Sequence, residues 1–425
     1  MGEFLPRIHL PGCKSLSQRA LLLAAVAEGE SALTGVSPCE DSTYLRGALA
    51  DLGAVFAKGE DGQLLVQGMG GPPRGECRID VGEAGSSLRF LLPLCAAGEG
   101  VFEITGTPRL MSRPHDPLLD CLRELGAQIE RIDDAERPGF RVRAQGLPTG
   151  AWPVPSATSS QYLSGLAMAA AWSAGVELAL PAAVPSRGYF DLTLEALTAF
   201  CGSDAWQESP EGEGSVLNLP GAAPHATAFE VPGDPSGASF FLVALAITGA
   251  AAELAPDWSS SHPEAGLLVQ LLEAGLVERA GTQWHATGYA PSEALQLDLD
   301  PAPDAGPALA VLGAHLPHGL IMDRVARLRA KESDRVLGVQ RLAELCGRHA
   351  ELKGDQLHLS GGGIDPLAQA AQQPFDPDQD HRMAMAAGVA RLLAPAIQVM
   401  HPECVAKSFP DFWAEIAKLS PAAAV

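Results

Sequence analysis

Positive charge is what this 425-residue chain has least of. Lysine and arginine together number 29 against 51 acidic residues, giving a formal net charge of −22 at pH 7. Lysine itself occurs only at Lys14, Lys58, Lys331, Lys353, Lys407 and Lys418. Such a balance excludes nucleic acid and anionic membrane surfaces as partners, since neither would meet a basic face. The eight cysteines form no CxxC pair and no metal-like spacing, which predicts reduced thiols, no metal, and a cytoplasmic protein. No uninterrupted apolar run reaches membrane-spanning length. Met1 to Arg7 carries no apolar stretch of the kind a secretory signal needs, so the chain is read as cytosolic and complete.

What is present is an ordinary globular composition, 47% hydrophobic and 19% charged, over a length that predicts two or three domains. Six segments share one order: an Ala/Leu-rich helix, a Gly-containing turn, then a strand-like run. They are Ser17–Val36, Ser86–Gly106, Ser160–Leu180, Gly237–Leu254, Asp304–Met322 and His381–Met400. Their helical parts are apolar nearly all round, which predicts helices buried on every side. A second helix with a mixed face follows each, at Glu40–Gly53, Pro114–Gly126, Asp191–Gly202, Pro263–Gly275, Glu332–Gly347 and Pro410–Leu419. Six ordered copies divide as three and three. The expected fold class is α/β, in two domains of similar internal symmetry, with a crossing near residues 226–232.

An acidic protein that handles an anion must gather its few cations locally. The polar phrases collect at the starts of the buried helices: Pro11 to Arg19, Gly82 to Ser87, Ser159-Ser160-Gln161, Gly233 to Ser239, Pro303 to Gly306 and Asp380-His381-Arg382. Ser, Asp and Gly there are also ordinary N-cap residues. Buried helix N-termini beside Arg and Lys nevertheless suit phosphate and carboxylate groups.

Taken in order, Lys14-Ser15-x-Ser17-x-Arg19, Arg109 to Arg113-Pro114, Ser159-Ser160-Gln161, Ser186-x-x-Tyr189-x-Asp191, Gly233-Asp234, Lys331-Glu332-Ser333-Asp334-Arg335, Asp380 to Met385 and Ala406 to Pro410 resemble the 5-enolpyruvylshikimate-3-phosphate synthases. The resemblance runs from Pro11 to Pro410. It implies the two-domain enolpyruvyl transferase fold, each domain three βαβαββ units with buried parallel helices and outer sheets. The upper domain would span 12–230, and the lower would join 1–11 to 231–425. It further implies a cytoplasmic monomer without metal or cofactor, and domains that close on substrate.

The reaction so implied moves the enolpyruvyl group of phosphoenolpyruvate to the 5-hydroxyl of shikimate 3-phosphate, releasing phosphate, a step of chorismate and aromatic amino acid biosynthesis. It needs an acid/base at a methylene carbon, a base for a hydroxyl, and an anion clamp. By resemblance Lys14, Ser15, Arg19, Ser159, Ser160, Gln161, Ser186, Tyr189, Asp304 and Lys331 hold shikimate 3-phosphate. Lys14, Gly85, Arg113, Gln161, Arg335, Arg382 and Lys407 hold phosphoenolpyruvate. Asp304 is the base on the 5-hydroxyl, and Glu332, assisted by Lys14, handles the proton at the methylene carbon.

The rival enzyme reading is the sister transferase acting on UDP-N-acetylglucosamine, which carries a reactive loop cysteine where this chain has Arg113. A non-catalytic relative is the rival from another class, opposed by intact Asp304, Glu332, Lys14 and Lys407. Asp376-x-Asp378-x-Asp380 lacks the Gly and closing Glu of a calcium loop, and Met383 and Met385 read as core. Cys13, Gln18, Glu83 and Arg327 depart from the family's usual residues. Glu83 and Arg327 are expected to compensate one another. Gly85 lies where glyphosate fits in susceptible members.

Overall fold

The computed structural model describes residues 5–155, 159–173, 175–364 and 374–420. Two compact units form, Lys14–Val231 and Met1–Cys13 with Pro232–Val425. Each has its own hydrophobic core.

Apart from a four-residue helical turn at Pro108–Met111 and several 3-10 turns, the helices alternate between two kinds. In chain order they are α1 (Lys14–Val26), α2 (Glu40–Asp51), α3 (Gly85–Ala96), α4 (Asp116–Glu124), α5 (Ser160–Ala170) and α6 (Arg187–Cys201). The second unit has α7 (Pro235–Thr248), α8 (Pro263–Glu273), α9 (Gly306–His315), α10 (Arg335–Leu345), α11 (His381–Ala390) and α12 (Phe412–Ile416). The odd-numbered helices are the buried ones. Runs such as Phe240 to Ile247 in α7 are apolar on every face, so the helix is stable only when enclosed. Small residues let these helices approach closely: a Cβ on Gly165 of α5 would lie 2.4 Å from the Arg89 carbonyl of α3. The even-numbered helices are one-sided. In α4, Leu118, Leu119 and Leu122 are buried while Asp120 and Arg123 face outward.

Among the described residues five four-stranded sheets accompany the helices, and all five have one pattern: a parallel pair, then two antiparallel additions. The pair Arg74–Asp80 and Glu99–Thr105, for example, continues antiparallel through Gly139–Gln145 to Gln128–Ile132. Each such unit reads β-α-β-α-β-β along the chain, except that two first strands are borrowed. Ala228–Glu230 completes the sheet of Glu30–Thr34, and Arg7–His9 completes that of Ala251–Ala255. The passages at Pro11–Cys13 and Pro232–Asp234 hydrogen-bond to each other, Cys13 N–H to Pro232 O at 2.8 Å and Asp234 N–H to Pro11 O at 2.9 Å.

The sixth unit departs from the expected grammar. After α11 the segment toward Met400 forms no strand, only an isolated parallel bridge between Phe375 and Val399. Pro395 removes a ladder donor there. The expected helix Pro410–Leu419 shortens to α12. The expected helix from Glu332 starts later, at Arg335, with Asp334 as its cap.

Candidate active site

In the unit Lys14–Val231 the polar phrases stand at the starts of α1, α3, α5 and α6. Lys14 opens α1 with its Nζ 3.0 Å from Asp41 Oδ2. Arg19, one turn on, is buried and donates to Thr193 Oγ1 at 2.7 Å, to Ser164 Oγ at 3.2 Å and to the carbonyls of Ser15 and Tyr189 at 2.7 Å. It also lies over the Phe90 ring. One guanidinium therefore fixes the backbone on which Ser15 and Tyr189 are displayed. Ser186, just before α6, holds φ 49° and ψ 47°, a left-handed conformation uncommon for serine. Such strain is found where a side chain must be aimed.

Ser159 caps α5 by accepting from Gln161 N–H at 3.2 Å, and Ser160 follows, buried. The Gln161 side chain donates to Ser86 Oγ at 3.0 Å and accepts from Arg89 at 2.5 Å. Arg89 reaches toward the Pro114 carbonyl and stacks over Tyr162, so it ties Gln161 to the arginine loop. That loop begins at Thr107, which caps the turn Pro108–Met111. His115 anchors its far end, its Nε2 2.8 Å from the Leu110 carbonyl. Burial lowers His115 to about 4, helped by Arg89, Arg113 and Arg131 against the Leu110 bond, so the ring is neutral at pH 7. A Cβ on Gly85 would stand 2.8 Å from the Arg113 guanidinium. Glu83 accepts from Thr107 Oγ1 at 3.4 Å.

In the other unit one buried guanidinium organises the site. Arg335, 1% exposed, donates to Asp304 Oδ1 at 2.7 Å, to Glu332 Oε2 at 2.8 Å, and to both oxygens of Asp380 at 2.8 and 3.1 Å. Asp380 also accepts from Ser333 Oγ and from Arg382 N–H, capping α11. Asp304, on the 3-10 turn before α9, meets Lys331 at 3.0 Å and Arg382 at 3.8 Å as well. Lys331 and Glu332 precede α10, so the spacing from Lys331 to Arg335 is not that of a solvated helix face. Lys407 closes a 3-10 turn and is buried. His381 is buried. Arg327 pairs with Asp300 at 2.8 Å.

Burial alone would push the Asp304 carboxyl up. Lys331 first, then Arg335 and Arg382, outweigh it and hold the group well below the usual carboxylate range, with Glu332 opposing. Burial likewise disfavours the Arg335 cation, and Asp380, Glu332 and Asp304 more than restore it. The cluster is thus a neutralised set of Lys331, Arg335 and Arg382 against Asp304, Glu332 and Asp380. An arriving anion must compete for those cations, and in doing so would loosen their hold on Asp304.

Two participants were not singled out in the sequence, Asp41 and Arg89, and Asp380 was quoted there only as part of a phrase, with no role of its own. Arg89 had a signal, being a lone charge inside the otherwise apolar α3. Asp41 lies on α2, where acidic residues near an N-terminus need no special explanation.

The fold also brings together Cys13, Asp234 and His262, all buried, with one ligand atom of each within 4.8 Å of the others. Sequence spacing did not suggest this group. His262 Nδ1 accepts from Glu264 N–H, capping α8, and Asp234 accepts from Ser236 N–H, capping α7. The ring proton therefore belongs on Nε2, and two helix N-termini direct partial positive charge toward the group. Both features fit a capping cluster better than a cation site.

The architecture is that of known enolpyruvyl transferases. An EPSP synthase from Acinetobacter baumannii matches with a TM-score of 0.77 at 26% identity, covering 98% of this chain and 97% of that one. The enolpyruvyl transferase NikO from Streptomyces tendae matches at 0.71 with 15% identity, covering 99% and 96%, a likeness of fold alone. The family model for EPSP synthase (3-phosphoshikimate 1-carboxyvinyltransferase) matches residues 5–416. Proteins named 3-phosphoshikimate 1-carboxyvinyltransferase from Vibrio vulnificus and Pseudomonas syringae pv. syringae are 30% and 31% identical, each over 97% of this chain and 96% and 94% of theirs. The chain belongs to the EPSP synthase family.

Proposed function

We propose that this protein transfers the enolpyruvyl group of phosphoenolpyruvate to the 5-hydroxyl of shikimate 3-phosphate. The observation that carries the reading is that Asp304 and Glu332, the two carboxylates the chemistry needs, hang on one buried guanidinium, Arg335. The methylene carbon gains a proton while the 5-hydroxyl oxygen, losing its own to Asp304, bonds to the adjacent carbon. The tetrahedral adduct then expels phosphate and returns a proton from the new methyl group to the enzyme. Glu332 and Lys14 serve that carbon-bound proton.

In this reading Gly85, Arg113, Gln161, Arg335, Arg382, Lys407 and Lys14 receive phosphoenolpyruvate. Ser15, Ser159, Ser160, Gln161, Ser186, Tyr189, Lys14 and Lys331 receive shikimate 3-phosphate, with Arg19 fixing Ser15 and Tyr189. The upper and lower domains are 12–230 and 1–11 with 231–425, and the protein works as a cytoplasmic monomer. Among the described residues no helix is long and apolar enough to cross a membrane. Phosphate release with phosphoenolpyruvate and either acceptor tests the substrate assignment. Turnover with shikimate 3-phosphate and none with UDP-N-acetylglucosamine is expected; the reverse would replace this reading with the sister reaction.

A further inference from the structure

A cavity of about 730 Å³ opens in the unit Lys14–Val231, lined by none of the residues assigned above. Its apolar wall includes Leu21 of α1, Leu33, Phe56 and Leu64. Hydroxyls come from Ser37, Ser42 and Thr43, and among the described residues no acidic side chain lines it. Ser37 is 2% exposed, and its Oγ has no hydrogen-bond partner among the described residues. The volume lies within the range usual for small-molecule sites, roughly 300–1,000 Å³.

Two cations complete the lining, Arg46 on α2 and Lys58 on the strand Val55–Lys58. Neither makes an ion pair or a side-chain hydrogen bond among the described residues. That is unusual in a chain with 51 acidic residues and 29 basic ones, where most cations have carboxylates within reach. Two cations at an apolar wall, with no carboxylate paired to either among the described residues, favour negative charge there. The complement of such a site is a small anion with an apolar body.

We propose that this cavity binds a small organic anion, a carboxylate or phosphate ester carrying a ring or short hydrocarbon, with the anionic group between Arg46 and Lys58 and the body against Phe56 and Leu64. The site is distinct from the two constellations described above. It is linked to the first of them through Ser42, which follows the Asp41 that holds Lys14, and through Ser37, whose N–H donates to Ser17 Oγ at 2.8 Å.

The experiment is titration of the full-length protein with phenyl phosphate and with phenylacetate, read by backbone amide NMR shifts over residues 35–64, with benzyl alcohol as the neutral control. That readout separates this cavity from any anion bound near Arg113 or Arg335. Saturable shifts centred on Ser37, Arg46 and Lys58 are expected for the anions. Weakening of at least about tenfold, equivalent to ~1.4 kcal/mol, is expected in Arg46→Glu combined with Lys58→Glu, both exposed positions that leave the core intact. Absence of shifts in this region with both anions would overturn the proposal. So would equal binding by benzyl alcohol, or unchanged anion binding in the double variant.

Discussion

Gly85 is the residue that leaves room for Arg113: a Cβ there would come within 2.8 Å of the guanidinium Nη1. That distance is too short for ordinary contact, so the arginine must move. Gly85→Ala is expected to raise KM for phosphoenolpyruvate about tenfold, or ~1.4 kcal/mol, with KM for shikimate 3-phosphate nearly unchanged. Steady-state kinetics with each substrate varied in turn checks this. Equal effects on both constants would count against it.

Asp304 and Glu332 are assigned different proton transfers. Asp304→Asn and Glu332→Gln keep shape and remove the acid/base function, so each is expected to lower kcat by about 10²–10⁴-fold. Substrate affinities in the two variants, measured by calorimetry, should change far less. A kcat within a factor of two of the parent for either variant would remove that residue from the chemistry.

Arg335 has a structural consequence as well as a catalytic one. Asp380 is 0% exposed and takes two of its donors. Arg335→Leu strands that carboxylate and is expected to cost about 3–5 kcal/mol, seen as a lower denaturation midpoint. Arg335→Lys keeps the charge but lacks the planar fork that reaches Asp304, Glu332 and Asp380 together. It should recover stability in part and activity poorly.

His115 gives a pH dependence whose sign follows from its environment. The folded ring titrates near 4 against an ordinary 6.5, so the unfolded chain binds the proton first. Its contribution is intact above 6.5, falls as pH drops through the interval, and is fully lost below 4, in total on the order of 3 kcal/mol. His115→Gln should flatten the fall in denaturant midpoint across that interval. An unchanged slope would show that other groups carry it.

The repeats were legible because all-round apolar helices at fixed spacing have few alternatives to burial: α7 and α9 could be read directly from their composition. The sixth unit was less legible, since whether Arg391 to Met400 pairs as a strand depends on neighbours that sequence does not supply. At the site, cations stood out against a net charge of −22, which made Lys14, Arg335 and Lys407 visible. Of their carboxylate partners, Asp304 and Glu332 were named only through the family resemblance, because one more acidic residue among 51 carries no signal by itself. Asp41 therefore emerged only from geometry, and so did the role of Asp380 as the buried partner of Arg335. Within its own unit Glu83 accepts from Thr107 and Arg327 pairs with Asp300; the compensation expected between Glu83 and Arg327 stands as a proposal that a charge-reversal pair tests. The pairing of Cys13 with Asp234 and His262 likewise depends on how two chain passages and two helix starts meet.

The central claim is addition followed by elimination at the enol carbon, and running the reaction in deuterium oxide tests it most directly. If the methylene carbon is protonated and then deprotonated, the enolpyruvyl product formed from shikimate 3-phosphate carries solvent deuterium at its vinyl position, and Glu332→Gln loses both product and label. A product that retains both original vinyl protons, formed at full rate, would contradict the account.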